Sequence, residues 1–305
     1  MITYEWADSW CEHPEVAQLL EVAAELDAEQ GFSARPPMLD PGPGGEARTR
    51  ELVAWMTRDV GAVSPGRKCA VAFLRVCAGP DGDGVLELLV HPDFRSLGVG
   101  TLLLEELGFG VSADGGWAGT GATSLRTWAR GSHPAAERMA RRFHADIERS
   151  VWRIVRPGKA RDRLPWDVHG ITVERVGSEW ERDELVRAST GWLAPLGPRD
   201  AEVLVAKDSS RAAAGFVALN GPGSPGGEAA ELGTIHALGL APGADGHAVR
   251  AALLSRAVDR LTEEGAREVD MLVNAVGDDL VRTCRLLGFH HDQTDLCFRV
   301  PLQRA

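Results

Sequence analysis

The chain has 305 residues, 44% of them hydrophobic and 25% charged, with a formal net charge of −11. That length buries a full core and has room for two domains of typical size. The acidic balance argues against nucleic acid and anionic membrane as partners, because phosphate-rich surfaces call for a cationic stripe that this sequence lacks.

Taken in chain order, the apolar periodicity predicts a helix over about 15–30, then strands near 69–77 and 85–90. A helix over about 98–107 follows, then a glycine-rich loop at 108–121, a strand near 124–128, a helix near 135–143 and a strand near 147–155. The stretch 156–167 holds Pro157 and Pro165 among dense charge, which forbids a long regular element and reads as a linker. Beyond it, strands are expected near 171–176, 203–206, 213–219, 231–240, 269–273 and 294–300, with helices between. Strands interleaved with helical periods imply an α/β (α+β) class: two tandem domains, 1–155 and 168–305, each a mixed central sheet flanked by helices.

The most informative segment is 85–107, where an apolar strand ends at Val90 and an Arg95-x-x-Gly98-x-Gly100 turn opens an apolar helix. Glycines remove Cβ atoms where backbone N–H groups converge, and the helix adds the positive end of its dipole beneath an anion. Arg95, Ser96, Leu97, Gly98, Val99, Gly100 and Thr101 are therefore the candidate cradle for a phosphate-bearing ligand. Residues 232–261 overlay this segment at a constant offset of 150, pairing Pro242 with Pro92 and Leu253 with Leu103, so the chain reads as a tandem duplication. Gly119-Thr120-Gly121 has no strand feeding it and is not a second phosphate site.

The motif resembles motif A of the Gcn5-related N-acetyltransferases, which implies acetyl-CoA, or a related acyl-CoA, as co-substrate, with Leu89 and Val90 offering backbone groups to its pantetheine arm. Thr127-Trp128-Ala129-Arg130-Gly131 and Ser150-Val151-Trp152-Arg153-Ile154-Val155-Arg156-Pro157 extend the resemblance to the mycothiol synthase family, tandem acetyltransferases of actinobacteria. In that family the first half is considered catalytically idle and the second half acetylates an amine. Here the second half departs from the pattern. Asp245, Ala248 and Arg250 replace the motif's Arg/Gln and two glycines, Thr234 stands for the family's glutamate base, and Cys284 stands for its tyrosine acid. The resemblance then implies a CoA site in the first half and a degenerate second half.

For the chemistry, strand alternation places Leu86, Leu88 and Val90 on one face and Val85, Glu87 and Leu89 on the other. If the even face is the cleft, Glu87 is an outward or supporting carboxylate. In the second half, His236 shares its predicted face with Thr234, and its near-neutral ordinary pKa suits a base. His236, Glu87 and Cys284 are the catalytic candidates; each also has a bland reading as a packed or surface residue. His133 before Pro134 reads as a helix cap, and His290-His291 as surface residues with no third metal ligand.

Five cysteines, Cys11, Cys69, Cys77, Cys284 and Cys297, form no Cys-x-x-Cys pair, which argues against a disulfide framework and a zinc site. No metal is expected. The first residues lack a signal-peptide pattern, so a cytoplasmic location is expected. The expected function is an acyl-CoA-dependent N-acyltransferase acting on a small-molecule amine, in specialised metabolism. The alternative is a non-catalytic acetyl-CoA-binding regulator or scaffold. Oligomeric state is left open.

Overall fold

The computed structural model describes residues 2–7, 9–10, 13–32, 48–58, 67–112, 115–158, 170–178, 181–182, 185, 201–223, 231–275 and 278–304. It is a mixed α/β structure of two compact units. Unit 1 is Met1–Ser150 with Thr294–Ala305, and unit 2 is Val151–Gln293.

Unit 1 contains β1 (Ile2–Ala7), α1 (Pro14–Glu29), β2 (Arg48–Arg58), β3 (Arg67–Ala78), β4 (Asp83–Val90), α2 (Val99–Leu107), β5 (Gly110–Ser112), β6 (Gly116–Trp117), β7 (Ser124–Ala129) and α3 (Pro134–Arg142). β1 to β4 pair antiparallel in sequence order, and β4 then pairs parallel with β7. One sheet face packs Leu86, Leu88, Val90 and Leu125 beneath Val99, Leu103 and Leu104 of α2. The opposite face packs Val53, Trp55, Phe73 and Leu89 against Val16 and Leu19 of α1. Period-two alternation in the strands and three-to-four spacing in the helices produce these faces. β1 and β2 were not expected from the sequence; Ile2, Tyr4 and Trp6 alternate onto the α2 face.

β8 (Asp146–Pro157) runs from unit 1 into unit 2, where β9 (Thr172–Arg175), β10 (Glu202–Lys207), β11 (Ala213–Asn220), β12 (Leu232–Leu240), α4 (Gly246–Glu263), β13 (Glu268–Asn274) and α5 (Asp278–Leu286) follow. β9 to β12 pair antiparallel and β12 pairs parallel with β13. The core is built by Val249, Leu253, Leu254 and Leu261 of α4 with Ile235, Met271 and Leu287.

The two units are not the two contiguous halves of the chain. In unit 2, β13 pairs with Val151–Pro157 of β8. In unit 1, β7 pairs with Leu296–Val300 of β14 (His290–Val300). The strand ladder of each unit is thus extended by the strand that ends the other half of the chain. Arg156 and Pro157, expected to open the linker, lie in β8, with Pro157 at the strand's end where a missing N–H is tolerated; residues 159–169 lie outside the described residues. A small sheet, β5 and β6 with β15 (Gln303–Arg304), further ties the C-terminus to unit 1. Among the described residues, no helix is long and apolar enough to cross a membrane.

This exchange is testable by core truncation. Phe298 is 4% exposed and packs on Ala129 and Ala140 in unit 1, whereas Ile154 is 4% exposed in the core of unit 2. Phe298→Ala should cost about 3–5 kcal/mol and lower hydrogen-exchange protection in β7; Ile154→Ala should cost about 2–5 kcal/mol and do so in β13. Protection lost in the opposite units would contradict the exchange.

Candidate active site

In unit 1 the parallel ladder between β4 and β7 stops at Leu86↔Thr127. β4 nevertheless continues to Val90, paired only with β3 over this stretch, and β7 continues to Ala129, paired with β14. From Glu87 onward the two strands part, and the β7-facing backbone edge of β4 is left open. An extended ligand can add to such an edge by main-chain hydrogen bonds.

Below the end of β4 the chain turns. His91 Nδ1 accepts from the Asp93 N–H and starts a single 3₁₀ turn, Pro92–Phe94. Ser96 at φ 64° and Gly98 at φ 82° are both left-handed. Gly98 caps α2 with no side-chain hydrogen bond, and the first intrahelical bond runs from Leu102 N–H to Gly98 O at 2.9 Å. The N–H groups of Val99, Gly100 and Thr101 therefore have no acceptor within the helix, at the positive end of its dipole. A Cβ on Gly98 would project into open space. Mixed right- and left-handed residues ahead of an uncapped helix make an anion-binding concavity, and a pyrophosphate fits this donor set.

Gly100 plays a different part from the one read in the sequence. A Cβ there would stand 3.3 Å from Val90 Cγ2 and 3.4 Å from Leu88 Cδ2, so its absence lets α2 settle on β4. Thr101 Oγ1 points to Met139 Sδ of α3 at 3.3 Å. Leu97 is 69% exposed beside the turn. Arg95 is held rather than free: its Nε donates to Val90 O at 3.2 Å, and its two terminal nitrogens reach Asp27 of α1 at 2.5 and 3.2 Å.

The matching turn in unit 2 is closed. α4 begins at Gly246, three residues ahead of the position equivalent to Val99, since 99 plus 150 is 249. Asp245, the counterpart of Arg95, caps it by accepting from the N–H groups of His247 and Ala248, both at 3.2 Å. The amides that would face a phosphate are wound into a helix and satisfied by a carboxylate. Arg250 packs over Gly246 and pairs with Asp279 at 3.8 Å.

The catalytic candidates separate. Cys284 is 1% exposed within the α4–α5 core, and burial pushes its thiol up to about 12, which makes it a packing residue. His236 is exposed, because β11 and β12 slip by one residue: Ala218 faces Ala237 but Leu219 faces Ile235, which puts His236 at the bulge. The alternation that would group it with Thr234 is broken there. Glu87 lies on the α1 side of unit 1, since the even positions of β4 are covered by α2. The even face is core.

Around Glu87 stands an ionic array that the sequence alone did not reveal. Arg75 donates from Nε to Glu51 Oε1 at 2.8 Å and approaches Glu87 Oε2 with Nη1 at 3.6 Å. Glu51, 2% exposed, also accepts from the backbone N–H of Trp10. Trp10, His13 and Trp55 make edge-to-face contacts beside it, with centroids 5.4 to 5.8 Å apart. The Glu87 side chain is 13% exposed, and its Oε1 is buried with no hydrogen-bond partner among the described residues. Burial raises its pKa above the ordinary 4.5 and outweighs the opposing pull of Arg75 and Arg130. His133 caps α3 through Nδ1, and burial lowers its pKa.

No family model matches the chain. It is 25% identical over 315 residues to a mycothiol acetyltransferase of Renibacterium salmoninarum, covering 94% of this chain and 87% of that one. It is 28% identical over 283 residues to one of Mycobacterium sp. strain JLS, covering 84% and 88%. A Gcn5-related N-acetyltransferase from Sphaerobacter thermophilus shares the fold at 20% identity with a TM-score of 0.64, over 99% of this chain and 98% of that one. A tandem protein of the same fold from the clavulanic acid pathway aligns at 16% identity with a TM-score of 0.65, over 97% and 98%.

The closed turn of unit 2 carries its own test: Asp245→Ala should lower the stability of unit 2 by about 1 kcal/mol in denaturant unfolding, the ordinary worth of such a cap. An unchanged midpoint would show that the cap does not hold α4. Over most of its length this chain is similar in sequence to the mycothiol acetyltransferases and shares its fold with Gcn5-related N-acetyltransferase structures, one of them a tandem protein, a likeness that marks it as an acyltransferase.

Proposed function

We propose that unit 1 binds acyl-CoA, with acetyl-CoA as the donor, and transfers the acyl group to a small amine, while unit 2 holds no CoA. The observation that carries this reading is the contrast at the two helix starts: Gly98 leaves the α2 amides uncapped, and Asp245 occupies those of α4. A phosphate at the first meets donors; at the second it meets a carboxylate. The pantetheine arm would run along the open edge of β4, where Val90 offers backbone groups; Leu89, opposite Phe73 and two residues before the His91 N–H that donates to Val71 O, turns its own toward β3. Arg95 would keep one nitrogen on Val90 O while sharing the others between Asp27 and phosphate.

Glu87 is the base of this proposal. The amine lone pair forms the C–N bond at the thioester carbonyl, the C–S bond breaks, and its electron pair leaves on the CoA sulfur. The proton shed by the nitrogen passes to Glu87 and, through solvent, balances the thiolate. The chain's one tyrosine, Tyr4, lies on β1 among the α2-face residues, so no tyrosine supplies that proton. A raised Glu87 pKa brings the base nearer to working pH than an ordinary carboxylate. The competing reading, a protein that binds CoA without turnover, predicts binding alone.

Calorimetry with CoA should give one site per chain. Gly98→Val should abolish it, because a β-branched residue resists φ 82° and fills the concavity, and Ala248→Val should not. Two equivalent sites would refute the assignment. Glu87→Gln should lower kcat by about 10²- to 10⁴-fold with CoA binding retained. The acidic limb of kcat/KM should fall as pH drops through a value above the ordinary carboxylate range, and should stay put when acceptors of different amine pKa are exchanged.

A further inference from the structure

Among the described residues of unit 1, the buried atoms Trp10 Nε1, Trp55 Nε1, Glu87 Oε1 and Arg130 Nε have no hydrogen-bond partner, and the last two border the same opening. One is Glu87 Oε1, on the first residue of β4 beyond its last pair with β7. The other is Arg130 Nε, on the first residue after β7 ends. Arg130's charge acts on Glu87. Arg130 is otherwise fixed: Nη1 donates to Asp295 at 2.8 Å, and the guanidinium lies 4.6 Å from the centre of the Trp128 ring. Asp295 also accepts from the Gly131 N–H, so this Arg is braced in place with its Nε–H unspent. Arg149, exposed, lies 5.7 Å from the centre of the same Trp128 ring.

A buried acceptor and a buried donor left unpaired are each costly, and a ligand that satisfies both recovers that cost. We infer that the acceptor of unit 1 is an amine that also carries a carboxylate, the nitrogen lying at Glu87 and the carboxylate at Arg130 Nε, with Arg149 flanking the approach. The inference rests on the proposed acyl-CoA site in unit 1 and adds the acceptor's class. A monoanion fits better than a phosphate because Asp295 already sits on Arg130 and repels a second negative charge. The Trp128 ring, which both arginines approach, lowers the local dielectric and strengthens a carboxylate–guanidinium contact.

The test uses the full chain with acetyl-CoA, reading release of the CoA thiol. The acceptors are α-, β- and γ-amino acids, each beside its amide, its decarboxylated amine and a phosphate-bearing amine. A charge-assisted hydrogen bond implies a kcat/KM preference of about tenfold or more for the carboxylate form over its amide. Arg130→Lys keeps a cation near Asp295 and removes the Nε donor, so it should shrink the acid-to-amide ratio, chiefly through KM. Arg149→Gln, at an exposed position, should shrink it less. Equal turnover of acids, amides and simple amines, a preference for the phosphate forms, or an unchanged ratio in Arg130→Lys would overturn the inference. So would CoA binding with no carboxylate-bearing amine acylated. CoA stoichiometry measured on the same preparations separates these outcomes from failure of the CoA site itself: one CoA bound with neutral amines acylated keeps the site and removes the acceptor class.

Discussion

The amides at the start of a helix must find acceptors, and how each unit meets that demand decides the rest. A helix leaves its first N–H groups without intrahelical partners and concentrates positive potential on them. In unit 2 a side chain answers: Asp245 accepts from two of them and lets α4 begin three residues early. In unit 1 no side chain among the described residues does, and two left-handed residues, Ser96 and Gly98, hold the turn open. Gly98 takes this geometry freely, and Ser96 takes it at a cost. An Ala at φ 82° sacrifices roughly 1 kcal/mol, and Ser96 already bears such a strain. A turn that carries strain and leaves donors exposed is more economically explained by a ligand than by the fold.

The same turn fixes where the strands can part. Gly100 brings α2 close to Leu88 and Val90, which commits the even face of β4 to the core and leaves Glu87 facing away from it. The ladder to β7 ends one residue earlier, and β7 then satisfies its other edge with β14. Without the C-terminal strand, β7 would be an edge on both sides over its last residues, and the opening beside Glu87 would lose its far wall. The exchange of terminal strands therefore supports the geometry of the site as well as the stability of each unit.

Much of this was legible in the sequence, and the failures share a cause. Motif, strand and helix in 85–107 were readable because turn chemistry and periodicity are local, and the decay at Asp245, Ala248 and Arg250 followed from a constant offset. His133 as a cap was equally local. What escaped depended on partners distant in sequence. The bulge that exposes His236 arises from its register with β11, and Arg95 is claimed by Asp27, 68 positions away. Strand exchange left no local mark, because Leu296–Val300 reads as an ordinary strand whichever sheet it completes. Glu51 did carry a signal that went unused: it shares period-two alternation with Val53 in an otherwise apolar stretch, so its side chain had to be buried and paired.

That pairing is incomplete in a telling way. Glu51, Arg75 and Glu87 together hold two carboxylates and one guanidinium, and Arg75 spends its close contact on Glu51 at 2.8 Å and a longer one on Glu87 at 3.6 Å. Desolvation then dominates at Glu87 and raises its pKa. A carboxyl whose folded pKa is raised favours the protonated form in the folded protein. Stability is therefore lost as pH rises from the ordinary carboxylate value through the raised one. At neutral pH the ionised Glu87 opposes folding, whereas a residue placed for packing would be apolar or fully paired. Glu51 shows that this sheet face can pair a carboxylate completely when the sequence requires it. Glu87, two strands closer to the opening, is left short of partners where the proposed acceptor amine would arrive.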